Sequence, residues 1–119
     1  TFVDYNKGIA RIMELELVGL GLIDLTDIKN QDPENPAYRK YFMHGTSHSL
    51  GLDVHDVDDR SIPFLENMVF TCEPGIYIPD EKIGVRIEND LVIGKERVLD
   101  LMKSIPVEVD EIENLMNQP

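Results

Sequence analysis

Apolar and polar positions repeat with two different periods along this chain, and the change of period divides it. Over residues 4–20, Tyr5, Ile9, Ile12, Met13 and Leu20 fall near one face of a 3.6-residue repeat, while Lys7, Arg11 and Glu14 lie on others. That pattern predicts an amphipathic helix, which Gly19 and Gly21 can end. Residues 20–25 read as a short apolar connection. Residues 27–36, polar and with two prolines, read as a loop. Asn35-Pro36 suits a helix start, followed by a short turn over 37–40. From Glu66 the period becomes two. Val69, Thr71 and Glu73 share one strand face, and Met68, Phe70 and Cys72 the other. Pro74-Gly75 ends or bulges that strand. Residues 76–78 are extended ahead of a turn at Pro79-Asp80. Residues 84–93 form the next strand, with Arg86, Glu88 and Asp90 on one face and Val85, Ile87 and Leu91 on the other. A further strand is expected over 97–101 and a short helix over 110–116. No internal repeat or low-complexity segment interrupts the order. An α+β domain with an antiparallel sheet fits.

Composition narrows the function classes. With 119 residues the chain has the length of one domain with a modest core. A formal net charge of −12 argues against nucleic acid or an anionic membrane surface as partner, and favours cations. Cys72 is the single cysteine, so no internal disulfide forms; a reducing compartment, the cytoplasm, is expected. Its apolar neighbours Met68, Val69 and Phe70 suggest a buried, inert thiol. No apolar run reaches the ~20 residues that span a bilayer, and no basic region followed by an apolar stretch marks a signal peptide. A start at Thr1 instead of Met suggests a processed or truncated product.

Candidate chemistry concentrates in one stretch. All three histidines, His44, His48 and His55, lie within twelve residues. His44 and His48 are spaced to share a helix face, but Gly45, Thr46, Ser47 and Gly51 are poor helix formers. An extended segment bent at Gly51 is expected instead. His48 and His55 are an odd number of residues apart, so a straight strand would point them to opposite faces; only a turn at Gly51 lets both reach one site. Glu73 and Glu88 sit on strands joined by about ten residues that are expected to pair antiparallel. The two carboxylates would then face each other and repel unless a cation lies between them. His48, Glu73 and Glu88 therefore form the candidate ligand set. One imidazole and two carboxylates suit Mn²⁺, Fe²⁺, Co²⁺ or Zn²⁺, with Mn²⁺ favoured by the oxygen content. His44 and His55 would orient ligands or face a substrate.

Three motifs in this order, residues 44–56 (HGTSHSLGLDVHD), 72–77 (CEPGIY) and 84–90 (GVRIEND), resemble the Xaa-Pro aminopeptidase (aminopeptidase P) branch of the pita-bread metallopeptidases. Prolidases carry similar motifs; the Thr46-Ser47 pair is closer to aminopeptidase P. The resemblance implies the C-terminal half of a pita-bread fold: α+β, a curved antiparallel sheet with helices on one face, and one partial domain over residues 1–119. It implies two divalent metal ions, most often manganese, held by two Asp, one His and two Glu. His48, Glu73 and Glu88 match the His and the two Glu, with Glu88 at the position that bridges both metals. The resemblance further implies hydrolysis of the peptide bond before proline by a metal-bound hydroxide. Glu73 would also handle the proton, His55 would assist at the reacting carbonyl, and His44 and Arg86 would contact the substrate. The partners implied are a peptide with proline in second position, the N-terminal half of the same domain, and a second copy in a homo-oligomer. The two aspartate ligands have no counterpart here, Asp4 being the only aspartate among the first twenty residues. The chain alone is therefore expected to be inactive. A prolidase fragment, a non-catalytic module of the same fold and a small mononuclear metal-binding protein are the alternatives.

Overall fold

A computed structural model describes residues 1–118. Helix α1, Phe2–Gly19, begins two residues earlier than the periodicity predicts because Thr1 caps it: the Asp4 N–H donates to Thr1 Oγ1 at 3.2 Å. Its end is a Schellman motif. Gly21 takes φ +71°, its N–H donates to Val18 O, and the Leu22 N–H donates to Leu17 O, each at 2.9 Å. The buried stripe is Phe2, Met13 and Leu17, with Tyr5 and Ile9 half-buried beside it. Ile12 and Leu20, placed on that face by the sequence pattern, are 53% and 62% exposed. A stripe stepping by four residues through 9, 13 and 17 leaves both on its flank.

Helix α2, Leu25–Asn30, occupies part of the segment read as a loop. Asp24 and Asp27 form a capping box: Asp24 Oδ1 accepts from the Thr26 and Asp27 N–H groups, and Asp27 Oδ2 accepts from the Asp24 N–H. Six helical residues carry too little periodicity to register as a helix. A 3₁₀ turn, Ala37–Lys40, follows.

The strands are β1 Val69–Cys72, β2 Gly75–Ile78, β3 Ile83–Arg86, β4 Asn89–Ile93 and β5 Val98–Asp100; helix α3, Val109–Met116, closes the chain. The strand expected over 84–93 is thus two strands. They pair in one register. Cys72 faces Asn89 in the sheet β1-β4-β5, and Gly75 faces Arg86 in the pair β2-β3. Across the gap that register sets Glu73 opposite Glu88 and Pro74 opposite Ile87. Pro74 has no N–H to give the ladder, so one long hairpin divides into two.

Two apolar clusters hold these elements. Phe70 of β1 packs against Phe2, Tyr5 and Phe64, stacked on Phe64 at 4.8 Å and edge-on to Phe2 at 5.6 Å. Leu17, Ile23 and Tyr41 form the other, covered by Ile28 of α2 and by Ile76 and Ile78 of β2. Helix α1 contributes to both, Phe2 and Tyr5 to the first and Leu17 to the second.

Because Leu17 is fully buried and Ile12 is not, Leu17→Ala should lower the unfolding free energy by ~3 kcal/mol and Ile12→Ala by less than ~1 kcal/mol. Chemical denaturation measures both, and equal costs would contradict the stripe.

Candidate metal centre

Residues 46–50 are not a regular strand, yet they line the free edge of β1. The Glu73 N–H donates to Thr46 O at 2.7 Å, the Thr71 N–H to His48 O at 3.0 Å and the Leu50 N–H to Val69 O at 3.1 Å. Ser49 and Phe70 form an antiparallel bridge. Three chain segments thus lie side by side in the order 46–50, β1, β4. Residues opposite one another in such a ladder share a face. Thr46 and His48 therefore stand with Thr71 and Glu73, and these with Glu88 and Asp90. The opposite face carries Ser47, Phe70 and Cys72, turned toward α1.

On the polar face one donor atom each from His48, Glu73 and Glu88 comes within 4.8 Å of the others. His48 Nε2 lies 3.3 Å from Glu73 Oε1, and both side chains are mostly buried. A carbonyl oxygen can only accept, so His48 Nδ1–H donates to Ser49 O at 3.0 Å and leaves Nε2 facing Glu73, where its lone pair could serve a cation. The Thr71 hydroxyl accepts from the backbone N–H of His48 at 3.1 Å and donates to Glu73 Oε1 at 3.2 Å, which ties the Glu73 carboxylate to the backbone of the His48 segment. A lone pair facing a carboxylate, with a second carboxylate alongside, is unfavourable unless a cation or proton lies between them. The donor set, one nitrogen and two carboxylates, fits a first-row divalent ion. Arg86 supplies partial compensation: its Nε is 3.7 Å from Glu73 Oε2. Glu88 is exposed and makes no ion pair among the described residues.

The bend at Gly51 brings the third histidine back. The Gly51 N–H donates to Asp53 O and the Asp56 N–H donates to Ser49 O at 3.1 Å. Asp56 Oδ2 accepts from the Leu52 N–H at 3.0 Å and occupies the space that a Cβ on Gly51 would need. The closed loop sets the His55 ring edge-on to His48, centroids 4.3 Å apart. His44 enters from the other side. Its Nδ1–H donates to Gly45 O at 2.8 Å, and the Tyr77 hydroxyl donates to its Nε2 at 2.9 Å. The Tyr77 hydroxyl crosses above Gly75, where a Cβ would lie 2.8 Å from it. His44, His48, His55, Glu73 and Arg86 line one open cleft of about 540 Å³, and Glu88 stands beside it, within reach of His48 and Glu73.

Several polar groups of the cleft were not anticipated from the sequence. Asp58 accepts from Ser49 Oγ at 3.0 Å and pairs with Arg60 at 3.3 Å, and both line the cleft. Their position in a charged run after His55 was the available signal. Behind the sheet, the Ser47 hydroxyl donates to Tyr5 Oη at 3.2 Å and the Tyr5 hydroxyl donates to Cys72 Sγ at 3.5 Å. Cys72 is therefore half-buried and hydrogen-bonded, not enclosed by apolar groups. Burial pushes the Tyr5 hydroxyl up to about 12, with the Ser47 hydrogen bond opposing and the Cys72 contact adding to the rise.

An α+β scaffold that turns one sheet face into a carboxylate–imidazole cluster defines a candidate metal-binding protein. The chain belongs to metallopeptidase family M24, whose model matches residues 6–95. Divalent metal is the cofactor class of that family. Human Xaa-Pro aminopeptidase 3 is 42% identical over 89% of this chain and 24% of its own length. Escherichia coli Xaa-Pro aminopeptidase is 44% identical over 98% of this chain and 29% of its own. In structure, zinc-substituted E. coli aminopeptidase P in complex with product superposes with a TM-score of 0.76 at 41% identity, over 92% of this chain and 27% of that one. Icp55 of Saccharomyces cerevisiae gives 0.80 at 33% identity, over all of this chain and 31% of that one. The fold is accordingly that of part of the pita-bread domain. The chain spans about a quarter of the length of the curated relatives it matches. No helix among the described residues is long and apolar enough to cross a membrane.

Gly51→Ala should displace the Asp56 carboxylate and release His55 from His48. The His55 ring-proton shifts imposed by the His48 ring would then relax in NMR spectra; unchanged shifts would contradict the loop closure. The raised Tyr5 value predicts an alkaline stability loss. The folded state holds the proton more tightly than the unfolded chain, so stability is full below pH ~10 and falls as pH rises toward 12. Denaturation midpoints across that window should show the loss in the wild type and not in Tyr5→Phe.

Proposed function

We propose that this chain is the C-terminal half of the catalytic domain of an Xaa-Pro aminopeptidase, cleaving the N-terminal residue from peptides with proline in second position. The observation that carries this reading is the convergence of His48, Glu73 and Glu88 within 4.8 Å on one sheet face. The names and sequence similarity of the relatives support it. Its shape supports a partial domain: the radius of gyration is 16.7 Å, against ~13–14 Å for a compact domain of this length. The N-terminal half of the same domain supplies the remaining two ligands, both aspartates, and the chain alone is inactive.

His48, Glu73 and Glu88 would hold divalent metal, manganese favoured by the oxygen-rich set. Bound metal supplies Lewis-acid polarisation of the scissile carbonyl and activation of the nucleophile. The chain's own groups do the rest. Ser49 O holds the His48 ring in the tautomer that presents Nε2. Thr71 Oγ1 and Arg86 orient Glu73, whose carboxylate would carry a proton between nucleophile and leaving amine. His55, held against His48, donates to the oxygen that gains charge at the reacting carbonyl. His44, its Nε2 engaged by Tyr77, and Arg86 flank the cleft where the proline-side part of the peptide would lie. The lone Cys72 suits work in the reducing cytoplasm.

The full-length protein should take up Mn²⁺ and hydrolyse peptides with proline in second position far faster than their alanine counterparts. His48→Ala should weaken metal affinity by at least ~100-fold. His55→Ala should lower kcat by ~10²–10³-fold with metal content unchanged. Equal cleavage of the alanine peptides would overturn the substrate assignment, and cleavage of Xaa-Pro dipeptides alone would make the protein a prolidase. A wild type without metal uptake would leave only a non-catalytic module.

A further inference from the structure

We propose that the Tyr5 hydroxyl is a positioning group for the metal-binding face. By bridging Ser47 and Cys72 from behind the sheet, it holds the two segments that carry His48 and Glu73 at one spacing. The inference rests on the metal-site reading above. In the ladder between residues 46–50 and β1, Thr46 faces Glu73 and His48 faces Thr71, so Ser47 and Cys72 are directly opposed between them. Each is the chain neighbour of a candidate ligand, with its side chain on the reverse face. The Ser47 hydroxyl donates to Tyr5 Oη at 3.2 Å and the Tyr5 hydroxyl donates to Cys72 Sγ at 3.5 Å. One phenol therefore spans the seam at the rung where the two ligands diverge.

The seam needs such a brace. Residues 46–50 form an irregular edge held to β1 by three backbone bonds, and edge segments fray and slip readily. Tyr5 is itself anchored. Its ring lies edge-on to Phe64 at 5.8 Å and to Phe70 at 6.1 Å, one turn after the buried Phe2 of α1. Ser47 is buried and this is its only side-chain hydrogen bond among the described residues, so removing the phenol oxygen leaves a buried hydroxyl without a partner and the seam free to shift.

The test uses the full-length protein stripped of metal and titrated with Mn²⁺ by calorimetry, beside thermal unfolding of the metal-free form. Tyr5→Phe keeps the ring and removes the brace. It should weaken Mn²⁺ affinity by about 10-fold while lowering the metal-free Tm by no more than ~3 °C. Ser47→Ala should give the same loss, and the double variant should be no worse than either single one. Cys72→Ser, which keeps an acceptor, should stay within about twofold of wild type, whereas Cys72→Val should match Tyr5→Phe. Tyr5→Phe binding as tightly as a metal-competent wild type, or additive losses in the double variant, would overturn the positioning role alone. A wild type that takes up no Mn²⁺ would overturn this role and the metal reading together.

Discussion

Everything chemical in this molecule depends on the register of one ladder. Residues 46–50, β1 and β4 are aligned so that His48, Glu73 and Glu88 fall on one face of three adjacent segments. Strand side chains alternate with a period of two, so a slip of one residue at either seam would send a ligand to the reverse face among Phe70, Phe2 and Phe64. The apolar cluster and the metal face therefore specify each other. Phe70 must face α1, and once it does, Thr71 and Glu73, one and three residues further on, must face the cleft. Pro74 reinforces this by ending the ladder immediately after Glu73, where a further N–H would continue the sheet.

The same register carries an electrostatic cost. Glu73 and Glu88 are opposed across the hairpin, and His48 Nε2 faces the first of them. Arg86 offsets only part of this, at 3.7 Å and with its own side chain half exposed. In a chain of net charge −12 there is little further positive charge to draw on. A divalent ion at this position removes the repulsion and gains the donor atoms at once, so metal uptake and the stability of this face are linked. Without a cation or a proton between these groups the ladder holds them at that cost, which makes the neutral braces around it, Thr71 in front and Tyr5 behind, more consequential than their modest hydrogen bonds suggest.

The fold class and the faces of the candidate residues were legible in the sequence, and several element boundaries were not. Alternation over 66–73 and 84–93 assigned the faces of Glu73 and Glu88, and parity required a turn at Gly51 to bring His55 to His48. Both inferences are local and follow from a period of two. What escaped reading depends on contacts distant in sequence or on signals only a few residues long. Helix α2 rests on the Asp24–Asp27 capping box. The split between β3 and β4 is imposed by Pro74, which lies on the opposite strand. Ile12 and Leu20 look interior by periodicity but sit at the flank of a stripe whose centre is set by Leu17 and Tyr41. The Ser47–Tyr5–Cys72 bridge joins positions 42 and 67 residues apart, and no pattern in the chain announces it.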